Sequence, residues 1–304
     1  MSARPMIKGF FVRGVFWRQV LSWGVRSVPF VLFPVTIACW SFLFFVFGKN
    51  ERRGVVANVR RILPHCSLPG IYARSWVVFW HFSWTITDTA RFRETKAPVD
   101  WEFDGISHFN ELLKSEGAII LTAHMGNYDL GAYLFAERLK RPLVIIRAPE
   151  EDPETQRFES DNQEKVKLDG MQVDYNTASP TLALDLINAL NEGKVVAIQG
   201  DRATRGINVM PATLFGVETM LPSGPFALSM ATRVPIFPLF VIPVGWRRYR
   251  VVTLPPFHCQ RTGRDREADM TRAMGHWTSV LQQVIRQYWF QWYMFHPMDE
   301  EPAR

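Results

Sequence analysis

The chain has 304 residues, 47% of them hydrophobic, with 23 Phe, 11 Trp and a net charge of +6. That is enough apolar material for a sizeable core in one large or two small domains, and the positive charge favours an anionic partner: nucleic acid, anionic lipid or an acidic carrier protein. Three scattered cysteines, Cys39, Cys66 and Cys259, form no CxxC pair, which argues against a disulfide framework or a zinc knuckle and for a reducing compartment.

Residues 1–27 are basic and aromatic without an acidic side chain. At about 100° per residue, Arg4, Lys8, Arg18 and Arg26 share one narrow helical face, while Phe10, Trp17 and Leu21 lie elsewhere. The pattern fits a helix lying on an anionic bilayer, or the solvated face of an ordinary N-terminal helix. Val28–Phe47 follows, 20 residues without a charge, including six Phe. About 20 apolar residues suffice to span the hydrocarbon layer. Pro29 and Pro34 either kink such a span or make it dip in and return. Arg26 on one side and Lys49, Arg52 and Arg53 on the other leave the positive-inside rule undecided. The length and late start of the run argue against a cleaved signal peptide; a buried core helix is the plain alternative.

Residues 51–64 read as an amphipathic helix, apolar at Val55, Val59, Ile62 and Leu63 and stopped by Pro64. A second helix is expected from about Pro69 to Arg93. Its Trp76, Trp80 and Trp84, spaced four apart, make a packing stripe. From residue 99 short apolar runs alternate with helical stretches. Strands are expected at 99–103, 118–122, 143–147, 195–199, 236–244 and 250–254, with helices near 106–116, 127–140, 154–168, 180–192 and 223–232. This alternation predicts an α/β fold with a mostly parallel central sheet flanked by helices. Pro235 and Pro238 suit an edge or the start of a strand. A long final helix is expected over 265–295, including the aromatic run Tyr288–Tyr293. The resulting plan is a membrane anchor at 1–50, a helical packing segment at 51–98, an α/β domain at 99–296 and a tail at 297–304.

The chemistry concentrates where strands end. An apolar strand, Ala118–Thr122, leads to His124, Gly126 permits a turn, and a helix begins around Asn127. In an open α/β sheet this carboxyl end is where ligands bind. Asp129, five residues on, is placed to accept one imidazole N–H, leaving the other nitrogen to take a proton from a substrate hydroxyl. The arrangement is a Ser-His-Asp triad with the serine replaced by the substrate. No GxSxG elbow occurs, so no protein nucleophile is indicated. The spacing alone is weak, since His296 and Glu301 repeat it in the tail.

A second strand, Val195–Gln199, runs into Gly200-Asp201-Arg202 and on to Arg205. Arg202 and Arg205 are suited to hold a phosphate or carboxylate, with Asp201 positioning Arg202; a surface ion pair is the plain reading. Arg147 ends a third strand, so His124, Arg147 and Arg202 converge on one sheet edge. Ser223, followed by Pro225, reads chiefly as a helix N-cap and secondarily as the start of a helix facing an anion.

The order His-x4-Asp, Gly-Asp-Arg, Phe215-Gly216 and Val234-Pro-Ile-Phe-Pro238 resembles the lysophospholipid acyltransferase superfamily, and most closely its bacterial lipid A late acyltransferase branch, over roughly residues 28–295. The helix around Asn58–Pro64 and the apolar N-terminal segment are similar too. The resemblance implies a fatty acyl donor on acyl carrier protein or coenzyme A, a membrane lipid acceptor and an active site on the cytoplasmic face of the bacterial inner membrane. It implies His124 and Asp129 as the catalytic pair and Arg147, Asp201 and Arg202 as contacts to acceptor or donor phosphate; Asn127, Arg205 and Ser223 are further candidate substrate contacts read from the residues themselves, and no cofactor or metal is expected. Many lipid A transferases carry Glu where this chain has Asp129. The phosphatidic acid enzymes show a Phe-Pro-Glu-Gly-x-Arg block where it has Gln199-Gly-Asp-Arg202, so the acceptor is a lipid A precursor or another glycolipid or aminolipid. Two rivals stand beside this reading: a metal-dependent phosphoesterase using His124, Asp129 and Asp201, and a non-catalytic membrane-surface protein. Nucleic-acid binding fits poorly, because the basic residues accompany apolar segments rather than a polar face.

Overall fold

The computed structural model describes residues 15–139, 141–147, 154, 156–157, 171–175, 181–204, 206–263 and 265–300. Arg4, Lys8 and Phe10, Arg205, and all but Glu154, Gln156 and Arg157 of the helix expected over 154–168 lie outside the described residues. The chain divides into two compact units, the first comprising Met1–Lys96, Glu150–Val166 and Met294–Pro297.

The first unit is helical: α1 (Val15–Ser27), α2 (Phe33–Phe47), α3 (Lys49–Ile62) and α4 (Leu68–Thr95). Pro29 leads into a short 3-10 turn, and Pro34 sits in the first turn of α2, where its missing N–H costs nothing. The apolar segment Phe30–Phe47 is long enough to cross a membrane. Within α2 only Phe33, Ile37 and Ser41 are buried, a single stripe at four-residue spacing. α1, α2 and α3 all pack on α4, whose buried positions include the small residues Ser75 and Ser83. Arg52 donates to the carbonyls of Phe45 and Val46, at 2.7 and 2.6 Å, satisfying the end of α2. Arg91 lies over the rings of Phe30 and Phe33, and Arg26 pairs with Glu94 at 2.7 Å. Asn58 is buried and donates to the carbonyls of Met294 and His296, at 3.0 and 2.8 Å.

The second unit is the α/β part. Its seven strands are β1 (Asp100–Asp104), β2 (Ala118–Thr122), β3 (Leu143–Arg147), β4 (Met171–Tyr175), β5 (Val195–Gln199), β8 (Ile236–Gly245) and β9 (Arg248–Thr253). They stand in the order β1-β9-β8-β2-β5-β3-β4. Every neighbouring pair is parallel except β8–β9. The helices are α5 (Ile106–Lys114), α6 (Tyr128–Leu139), α7 (Leu182–Asn191), α8 (Gly224–Thr232) and α9 (Arg266–Tyr288). α5 packs on β9, α6 on β3 and β8, α7 on β5 and α8 on β2. β2 is central, and Ala118 to Leu121 are all buried, as expected for a parallel strand covered on both faces.

Besides β4, an edge strand at Met171–Tyr175 that the apolar pattern did not announce, three features depart from the sequence reading. β6 (Val209–Leu214) and β7 (Val217–Pro222) form a separate antiparallel hairpin. Phe215 and Gly216 make its turn with φ of 51° and 75°, the left-handed pair that two-residue hairpins require. Second, of the two settings that suit Pro235 and Pro238, the structure has the start of a strand rather than an edge, because β8 is central. Pro238 is tolerated there because it sits opposite Leu121 at the last register position with β2 and just before the pairing with β9 begins. Third, the last helix stops at Tyr288. A 3-10 turn, Trp289–Gln291, follows, and Trp292 is extended at φ −95°, ψ 112°. The aromatic run therefore leaves the helix and returns to the sheet, where Trp292 bridges Met125.

Candidate active site

Register explains which side chains meet. β2 and β5 are adjacent and parallel, with Thr122 opposite Gln199. The ladder runs one bond further, Gly200 N–H donating to the Thr122 carbonyl at 2.9 Å. Two residues beyond each strand end stand His124 and Asp201. His124 Nδ1 lies 2.7 Å from Asp201 Oδ1. Thus Asp201, from the neighbouring strand, takes the hydrogen-bonding position at the imidazole that the sequence reading gave to Asp129. Asp129 stands in the first turn of α6 and accepts from Arg147 at 2.6 Å. Arg147, the last residue of β3, reaches it from the strand on the far side of β5.

Asp201 is fully buried, and its second oxygen accepts from the Trp292 indole N–H at 3.0 Å. Arg202 donates to the Tyr293 carbonyl at 2.9 Å, and its Nη2 lies 3.9 Å from Asp201. The Nε–H of Arg202 is buried and has no hydrogen-bond partner among the described residues. Tyr128 sets its ring edge-on to His124, with centroids 5.5 Å apart. Burial drives the Tyr128 hydroxyl well above the usual phenol range, so it remains neutral.

Burial raises the Asp201 carboxyl, but His124, Arg202 and the Trp292 N–H together outweigh it and hold it below the usual carboxylate range. Burial lowers the His124 imidazole, and the Arg202 guanidinium adds to this. Asp201 and Asp129 pull the other way without reversing it. The resting state is an ionised Asp201 accepting Nδ1–H from a neutral His124, which leaves Nε2 with a lone pair. That state can take a proton from a hydroxyl.

The turn between β2 and α6 is held by backbone. Gly126 has φ +60°, and a Cβ there would overlap the Val241 carbonyl. Its N–H donates to the Gln291 carbonyl at 2.9 Å. Asn127 is completely buried. Its Oδ1 accepts from Leu130 N–H at 3.0 Å, capping α6, and its amide lies 3.5 Å from the Tyr249 hydroxyl. Ser223 occupies the N-cap position of α8, but its hydroxyl donates to the Asn208 carbonyl at 3.1 Å and makes no cap bond. Arg205 lies outside the described residues. Sequence reasoning missed Trp292, because inside an expected helix nothing marks one aromatic residue among several.

Among the described residues no three His, Cys, Asp or Glu side chains gather where they could hold a metal ion. No curated protein matches the chain. Residues 12–298 match a family model described as bacterial lipid A biosynthesis acyltransferase.

Proposed function

The chain belongs to the bacterial lipid A biosynthesis acyltransferase family, and from that premise we propose that it moves a fatty acyl group from a thioester to a lipid hydroxyl with His124 as general base. The donor is acyl carrier protein or coenzyme A, and the acceptor is a lipid A precursor or a similar glycolipid. The hydrogen bond between His124 Nδ1 and Asp201 carries the reading, because it fixes the tautomer that leaves Nε2 free to accept a proton.

In the proposed reaction the acceptor oxygen attacks the thioester carbonyl carbon while Nε2 takes its proton. The tetrahedral intermediate collapses, the C–S bond breaks, and the imidazolium returns the proton to the leaving sulfur. The products are an ester and a free thiol. Asp201 stabilises the imidazolium through its hydrogen bond, and Asp129 contributes through space. Arg147 and Arg202 supply positive charge for phosphate on the acceptor or donor. The protein works at the bacterial inner membrane with its site on the cytoplasmic face, the side on which these thioester donors are found.

The test is transfer of a labelled acyl chain to lipid by purified membranes, with mass spectrometry of total lipids to identify the acceptor. His124→Ala is expected to lower transfer by about 10²- to 10⁴-fold, the range for loss of a general base, while the protein still accumulates. Undiminished transfer by His124→Ala would overturn the reading.

A further inference from the structure

Three consecutive residues far along the chain hold the site together. Gln291 accepts at its carbonyl from Gly126 N–H at 2.9 Å, and Tyr293 N–H donates to the His124 carbonyl at 2.9 Å. The Tyr293 carbonyl anchors Arg202. Gln291 itself is tied down, its amide donating to the Pro243 carbonyl at 2.9 Å. Between them Trp292, only 3% exposed, presents its indole N–H to Asp201 Oδ2 at 3.0 Å. Among the described residues this is the only hydrogen-bond donor on that oxygen. The segment is extended here because the helix before it has ended, and its backbone pairs with the loop carrying His124.

We propose that Trp292 is a positioning residue for the acyl-transfer base: its indole N–H fixes the Asp201 carboxylate and sets how strongly that carboxylate favours the His124 imidazolium. The inference rests on His124 being the base. A carboxylate with one oxygen on an indole and the other on an imidazole cannot rotate without giving up a charge-assisted hydrogen bond inside a buried site. The indole also withdraws part of the negative charge that would otherwise act on His124. Removing the N–H therefore has a signed electrostatic consequence. Asp201 becomes the stronger partner of the imidazolium, and His124 titrates at higher pH.

Trp292→Phe removes the donor. Trp292 replaced by 3-benzothienylalanine removes it while keeping the ring system's shape, and serves if the phenylalanine variant fails to accumulate. The control is Trp277→Phe, which removes an equally buried indole N–H that donates to a backbone carbonyl, that of Gly200, at 2.9 Å. Two readouts are taken on the full-length protein in detergent: the His124 titration by NMR, and kcat and KM against pH with an acyl thioester.

The Trp292 variants are expected to raise the His124 titration point and to lower kcat by about tenfold or more, with KM for the donor little changed. Trp277→Phe leaves the titration point in place. A titration point unmoved in both Trp292 variants, or moved equally by Trp277→Phe, overturns the proposal. The titration reads Trp292 separately from catalysis, whereas full activity in His124→Ala overturns the general base and leaves the titration result standing.

Discussion

At the scale of single residues the site is a contest over one proton. A free imidazole titrates near 6.5. Burial and the Arg202 guanidinium push His124 below that, against the pull of Asp201 and Asp129. A general base must be unprotonated, so activity is retained as the pH falls below the usual imidazole range and is lost as it passes through the lowered value. The acidic limb of kcat/KM is therefore expected below about pH 6.5. Arg202→Gln removes one of the two influences holding it down, burial being the other. His124 then titrates higher and the limb moves to higher pH, in addition to any loss of rate from weaker phosphate binding. Profiles of wild type and variant over the same buffers check this; a limb that stays or moves lower would show that Arg202 does not set the proton affinity of His124. The residue types at this site were legible in the sequence: His124, Arg147, Asp201 and Arg202 all follow apolar runs. The partner of His124 was not, because spacing along one strand-loop-helix points to Asp129, whereas the bond is made across a parallel ladder whose order sequence does not reveal. Only with β5 known to lie beside β2 do two positions 77 apart in sequence become neighbours.

At the scale of elements the strand-to-helix turn after β2 decides whether His124 and Asp129 are presented at all. Gly126 holds φ +60°, its N–H is bonded to Gln291, and the Val241 carbonyl occupies the space a side chain would need. Gly126→Ala thus meets a conformational penalty and a backbone overlap that no rotamer relieves. It is expected to destabilise the protein by about 2 kcal/mol or more and to remove activity, because the turn is forced out of place. Thermal unfolding together with transfer rate measures both; a variant of normal stability and rate would show that the turn is not rigidly required. The same physics accounts for what the sequence disclosed about elements. Long or strongly apolar pieces were readable, including β2, β5 and α4, because burial on both faces or along a helical stripe leaves a periodicity. β6 and β7 were not, since Pro211 and Pro222 weaken a strand reading. The end of α9 was obscured because Tyr288–Tyr293 is apolar enough to continue a helix, and its exit depends on tertiary partners in the β2 loop.

At the scale of the whole molecule, apolar exposure and chemistry are segregated along the chain. Among the described residues, the large hydrophobic side chains left exposed all lie in the first unit except Ile106 and Leu184. They include Phe16, Trp23, Val31, Val35, Phe42 and Phe47, and α2 buries only one stripe. The groups of the candidate site all belong to the second unit. A soluble surface rarely carries so many large apolar side chains from one stretch of chain, whereas a bilayer removes them from water. The cationic residues of this segment, Arg18 among them, add attraction to anionic headgroups. The two contributions respond differently to salt: ionic attraction is screened and apolar burial is not. Full-length protein is therefore expected to stay on membranes through a high-salt wash and to need detergent for release. Removing residues 1–47 should release most of the α/β part. Because α4 loses its cover in that truncation, pelleting alone would confuse aggregation with binding. Flotation with vesicles containing anionic lipid separates the two, since aggregates sink and bound protein rises. Truncated protein that still floats would show that residues 1–47 are not the anchor, and full-length protein stripped by salt would show that charge rather than apolar burial holds it to the membrane.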